Sequence, residues 1–93
     1  MSKSLDENSY PRLRPGVRLQ WDHVRKQWVL LAPERVLTLD EIGVALIKKL
    51  DGNSRLSSVA RDCSRDYDAP LTEITRDIMD FVQTLVDKQI LEL

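Results

Sequence analysis

The chain has 93 residues, 42% hydrophobic and 31% charged, with a formal net charge of −1. That describes one ordinary globular domain with a small core, and no apolar run reaches the ~18 residues a membrane-crossing helix needs. One cysteine, Cys63, and one histidine, His23, exclude a disulfide framework and are too few for a structural zinc site.

The charge is unevenly spread. Residues 1–35 carry seven Lys/Arg against four Asp/Glu, and residues 36–93 carry seven against eleven. The first half is therefore basic and the second acidic. The opening residues "MSKSLDENSYPR" lack the apolar stretch of a secretory signal, so a cytoplasmic location is expected.

Residues 1–9 are polar, without periodicity or apolar anchors, and read as a flexible N-terminal tail. Pro11 and Pro15 then keep the chain extended. "VRLQW" alternates, with Val17, Leu19 and Trp21 on one side and Arg18 and Gln20 on the other, which predicts a half-buried strand. "WVLLA", residues 28–32, is apolar throughout, as a central strand covered on both sides would be. Pro33 ends it, and "VLTL", residues 36–39, predicts a third strand. The simplest arrangement is an antiparallel meander with the second strand in the middle.

The period then changes. Thr38 and Glu41 fit a capping box, with Asp40 as an alternative cap. Ile42, Ala45, Leu46 and Leu50 give an apolar helical face, closed by Asp51-Gly52. Ser54 is placed to cap a second helix with the face Leu56, Val59, Ala60, Cys63 and Tyr67. Pro70 suits the first turn of a third, longest helix, whose stripe is Leu71, Ile74, Ile78, Phe81, Val82 and Leu85. The predicted class is α+β: a three-stranded antiparallel sheet followed by three helices, with the last two resembling a winged helix-turn-helix.

Catalytic constellations are missing from the sequence. The three glycines are scattered, so there is no phosphate loop. Cys63 reads as a small buried hydrophobe and His23 as a solvated loop residue. Arg76 and Asp80, spaced i,i+4, read as a helix-stabilising pair. Neither an enzyme nor a cofactor or metal is expected. A helix-turn-helix raises DNA binding as the alternative, but residues 70–89 set Glu73, Asp77, Asp80 and Asp87 against Arg76 and Lys88, the wrong sign for a helix that must approach phosphates.

The two outer strands differ. The first is flanked by Arg12, Arg14 and Pro15 and carries Arg18, the usual guards against edge pairing. "VLTL" has neither charge nor proline, so it is a candidate docking edge for another strand.

The runs "RPGVRLQWD", "WVLLAPERVLTLDEIGVALIKKLDG" and "DIMDFVQTLVDKQIL" resemble the PqqD family of pyrroloquinoline quinone (PQQ) biosynthesis over residues 10–93. Asp40 stands where the family often has Asn, and Ile90 where many members have Trp. The resemblance implies a winged-helix-like recognition domain, not an enzyme, that binds the precursor peptide PqqA by strand addition and presents it to the radical S-adenosylmethionine enzyme PqqE. It implies a docking edge at Arg35, Val36, Leu37, Thr38 and Leu39. It implies a facing wall on the third helix, at Arg76, Ile78, Asp80, Phe81 and Thr84. Neither nucleic acid nor membrane is an expected partner. A monomer is expected, with a homodimer or strand-swapped dimer at high concentration, because an unguarded edge also fits its own copy.

Overall fold

The computed structural model describes residues 4–93. In chain order the elements are β1 (Arg12–Leu13), β2 (Arg18–Asp22), β3 (Gln27–Ala32), β4 (Arg35–Leu39), α1 (Glu41–Lys49), α2 (Leu56–Asp66), α3 (Leu71–Asp87) and β5 (Leu91–Glu92). β2, β3 and β4 form the antiparallel meander with β3 in the centre, and the three helices follow as expected. β1 and β5 form a second, two-stranded sheet that periodicity did not reveal.

The register of the meander explains its two faces. Leu19, Leu30 and Leu37 stand in one row across the sheet, and Trp21, Trp28 and Leu39 in a neighbouring one. The leucines of these rows pack on the helical core, with Leu30 fully buried. Trp28 meets Trp21 edge to face at 5.5 Å, and the Lys48 ammonium lies 5.3 Å from the Trp28 ring centre. The alternate rows are Arg18, Leu31 and Val36, and Gln20, Val29 and Thr38. On that side Val29 is buried, Leu31 half-buried and Val36 55% exposed. The run Trp28–Ala32 is thus not covered throughout on both sides, because the helical core lies against one face of the sheet.

The core joins Leu30 to Leu46, Ile47 and Leu50 of the α1 region, Leu56, Val59, Ala60 and Cys63 of α2, and Ile78, Val82 and Leu85 of α3. Burying each Leu, Ile or Val side chain of this set stabilises the fold by roughly 1.5–3 kcal/mol before chain entropy is counted. α1 departs from its expected face. Val44 and Ile47 are buried, whereas Ile42 is 60% exposed. Its sequence is apolar on nearly every side, so periodicity alone did not choose. Asp40 is the cap of α1, accepting the Gly43 N–H at 2.7 Å, and Thr38 stays in β4.

The cap of α2 is also different. Ser54 donates its own N–H to Asp51 Oδ1 at 2.9 Å, beside the Asn53 N–H at 2.8 Å. These backbone donors, that of Asn53 foremost, hold the Asp51 carboxyl below its usual range. Arg55 occupies the N-cap of α2 without a side-chain cap. The first N–H groups of the helix donate instead to residues nearly 50 positions earlier: Leu56 to Ser9 O at 2.9 Å and Ser57 to Glu7 O at 2.9 Å. Leu5 packs half-buried against the core, and Arg55 holds the Tyr10 hydroxyl at 3.1 Å. Residues 4–9 therefore have an anchor that the sequence did not disclose; residues 1–3 lie outside the described residues.

The chain end completes the core. Ile90 and Leu91 are almost wholly buried, and Arg12 pairs with Glu92, its Nε donating to Oε1 at 2.8 Å. Gly52, at φ +79°, bends the chain so that its N–H meets Pro11 O at 3.1 Å. A Cβ there would stand 3.1 Å from Arg12 Cδ, so both the backbone angle and the space favour glycine.

Candidate functional site

β4 is an outer strand with no further strand beside it among the described residues. The two-residue link Pro33-Glu34 makes Ala32 and Arg35 the closing pair of the β3–β4 hairpin. Such a pair exchanges both backbone hydrogen bonds, and pairs alternate from there. Arg35, Leu37 and Leu39 thus bond towards β3, and the N–H and C=O groups of Val36 and Thr38 point outward. A passing strand meets two donors and two acceptors on this edge.

Beside the C-terminal end of β4 lies a groove of ≈ 490 Å³. α3 supplies Ile74, Asp77, Ile78 and Phe81, spaced i, i+3, i+4, i+7, so they form one helical face. α1 supplies Ile42, Ala45 and Leu46, and the C-terminal end of α2 adds Cys63 and Tyr67. Gly43 lets α1 approach closely, since a Cβ there would lie 3.2 Å from Leu39 Cδ2. The lining is apolar apart from Thr38, the Tyr67 hydroxyl and the carboxylates Asp40 and Asp77. Burial pushes the Cys63 thiol up from its ordinary pKa, so at neutral pH it is a protonated part of the wall. Among the described residues no group of three or more His, Cys, Asp or Glu is placed to hold a metal ion. Apolar walls beside an open strand edge suit docking of an extended peptide.

Of the residues named from sequence, the groove brings together Thr38, Leu39, Ile78 and Phe81. Leu37 is half-buried against the core beside them. Val36 offers its backbone to the edge but its side chain to the far face of the sheet. Arg35 lines a different cavity, of ≈ 400 Å³, under the β3–β4 turn. Arg76, Asp80 and Thr84 are exposed on α3 and do not line the groove, and the ion pairs of the described residues do not include Arg76 with Asp80. Sequence reasoning missed Ile74 and Asp77 as wall residues, although both share a helical face with Ile78 and Phe81. It also missed Ile42, Ala45 and Tyr67, whose apolar spacing was visible but was assigned wholly to the core.

The family model described as "Coenzyme PQQ synthesis protein D (PqqD)" matches residues 27–91. A protein of Xanthomonas oryzae pv. oryzae (strain PXO99A) named "PqqA binding protein" is 42% identical over 90 residues, covering 97% of this chain and 98% of that one. The solution NMR structure of the PqqD truncation of Methylobacterium extorquens PqqCD, described as a functional and stand-alone recognition element for ribosomally synthesized and post-translationally modified peptides, is 40% identical. It matches with a TM-score of 0.82, covering 97% of this chain and 96% of that one. The crystal structure of PqqD from Xanthomonas campestris is 42% identical and matches at 0.60, over 97% and 100%. With two-thirds of its length matched by the family model and nearly all of it aligned to relatives above 40% identity, this chain belongs to the PqqD family.

Proposed function

We propose that this chain is a non-catalytic peptide adaptor of PQQ biosynthesis, which binds the precursor peptide PqqA and presents it to the radical S-adenosylmethionine enzyme PqqE. The observation that carries the reading is the open β4 edge bordering an apolar groove on α3. The peptide adds as a fourth strand, taking the backbone groups of Val36 and Thr38, while its apolar side chains enter between Phe81, Ile78 and Ile42. The edge bonds supply register without reading sequence, and the groove supplies selection. The name of the Xanthomonas oryzae relative and the description of the Methylobacterium structure support the peptide-binding part of this reading. Burial of apolar side chains drives the association, so binding should carry a negative heat-capacity change.

The test is an amide-shift titration with PqqA. Val36, Thr38 and residues 74–81 are expected to shift, and the turn at 23–26 to stay still. No shift up to millimolar peptide overturns the reading. Presentation is tested separately, by measuring PqqE cross-linking of PqqA with and without the chain. An unchanged rate would leave peptide binding and remove the adaptor role.

A further inference from the structure

The cavity under the β3–β4 turn stands at the opposite end of the strand and helix that form the apolar groove. β4 and α3 run antiparallel: Thr38 and Leu39 face the Ile74–Phe81 region, while Arg35 faces the α3 C-terminal end at Asp87, Lys88 and Gln89. Two rulers give similar lengths for the corridor between. Arg35 to Leu39 spans about 13 Å of strand, and Asp77 to Lys88 about 16 Å of helix. Both exceed the Debye length of about 8 Å at physiological salt, so the ends present separate local fields.

Those fields differ in sign. The apolar end is lined by two carboxylates, Asp40 and Asp77, and by no cation. The other end is lined by Arg14, Arg35 and Lys88 against Glu34 and Asp87. Asp87 already accepts the Gln83 side-chain amide at 2.9 Å. None of the three cations takes part in an ion pair among the described residues. A peptide carboxylate is attracted at the turn end and repelled at the groove end.

We infer that the β4–α3 corridor reads the direction of its peptide, taking an apolar side chain at the Asp77 end and a carboxylate about four residues further towards the peptide C-terminus, at Arg14, Arg35 and Lys88. The C-terminal placement follows from antiparallel addition, the more stable pairing. An added antiparallel strand runs from the Leu39 end to the Arg35 end, so its C-terminal side reaches the cations. This inference rests on the peptide-docking reading and names the chemistry that reading leaves open. The carboxylate belongs either to an Asp or Glu side chain or to the peptide's terminus.

The experiment is a double-mutant cycle on the full chain with PqqA. The double variant Arg35→Gln/Lys88→Gln alters exposed side chains, and a thermal melt is expected to match the parent. Its affinity for unmodified PqqA is expected to fall roughly threefold to tenfold at low salt, and by less as salt rises. The peptide is then varied by changing each Asp or Glu in turn to Asn or Gln, and separately by amidating its C-terminus. One of these changes should weaken binding to the parent chain and abolish the difference between parent and variant; which one identifies the carboxylate. A parallel cycle pairs Phe81→Ala with alanine substitutions in the peptide, to locate the apolar anchor. The coupled carboxylate is expected C-terminal to that anchor. Coupling on the N-terminal side, no coupling to any carboxylate, or equal affinities for parent and variant overturns the inference while peptide docking stands. If unmodified PqqA does not bind the parent chain, both readings fall. Should the double variant melt early, Lys88→Gln alone carries the same cycle with a smaller expected loss.

Discussion

The two outer strands of one sheet meet solvent differently. β2 is preceded by Pro15 and carries Arg18 at its first position, and the cavities beside it mix apolar side chains such as Trp21 and Val24 with the charged and polar groups of Arg18, Gln20, Asp22, His23 and Arg25. β4 has no charge from Val36 to Leu39 and runs into the groove of Ile42, Ile74 and Phe81. Both offer unpaired backbone groups, and backbone groups alone do not distinguish one partner from another. The contrast teaches that an open edge becomes a site when apolar side chains stand beside it to reward a particular sequence.

The sharpest way to break the comparison is proline on β4. Leu37 bonds towards β3 and packs on the core, so Leu37→Pro removes a ladder bond inside the fold. The lost Leu37 packing of about 2–5 kcal/mol, with the lost ladder bond added, should be visible as a collapsed denaturant midpoint. Thr38 points its N–H outward, so Thr38→Pro should remain folded. It should lose one bond to the peptide, worth roughly 0.5–1.5 kcal/mol or about a twofold to tenfold drop in affinity. If both variants fold and bind PqqA normally, the peptide does not use this edge.

Truncation to a chain starting at Tyr10 touches neither outer strand. It removes Leu5 and the carbonyls of Glu7 and Ser9 that receive the first N–H groups of α2. Losing such a cap costs about 1–2 kcal/mol, or roughly 4–8 °C in Tm per kcal/mol at this size. Peptide affinity at a temperature where the truncated chain is folded should be unchanged. An unaltered melt would show that residues 1–9 form the dispensable tail that their polarity suggests.

Cys63 reports the groove by its chemistry. Its pKa is raised by burial, so the folded chain holds the thiol proton more tightly than the unfolded chain. The stability this contributes is present below the ordinary thiol pKa and is lost as pH rises above it through the folded value. Alkylation at neutral pH should therefore be slow, faster as pH rises, and slower again with PqqA bound. Rapid labelling of the free chain at neutral pH would contradict the burial.

The smallest expected effect is on β2. Arg18→Val removes the guard without supplying a groove. Titration with PqqA should keep one site of unchanged affinity. A second peptide bound per chain would show that the absence of charge, rather than the groove, makes an edge a site.

The sequence by itself determined most of the elements, the short strands β1 and β5 excepted, and which outer strand lacks guards. Alternation in "VRLQW", the charge-free "VLTL" and the switch to a 3.6-residue period after Asp40 are local properties, set by how each residue's neighbours share its face. They yielded the meander, the three helices and the strand that lacks guards. Tertiary structure decided what periodicity leaves degenerate. α1 is apolar on two sides, and only packing sends Val44 and Ile47 inward while Ile42 and Ala45 wall the groove. Asp77 rather than Asp80 lines the groove because rotation of α3 about its axis is set by Val82 and Leu85 seated in the core. The cap of α2 comes from Glu7 and Ser9, and the partner of Arg12 is Glu92, eighty residues away. Such pairings depend on where the folded chain brings distant segments, and a residue's own neighbourhood in sequence carries no record of that.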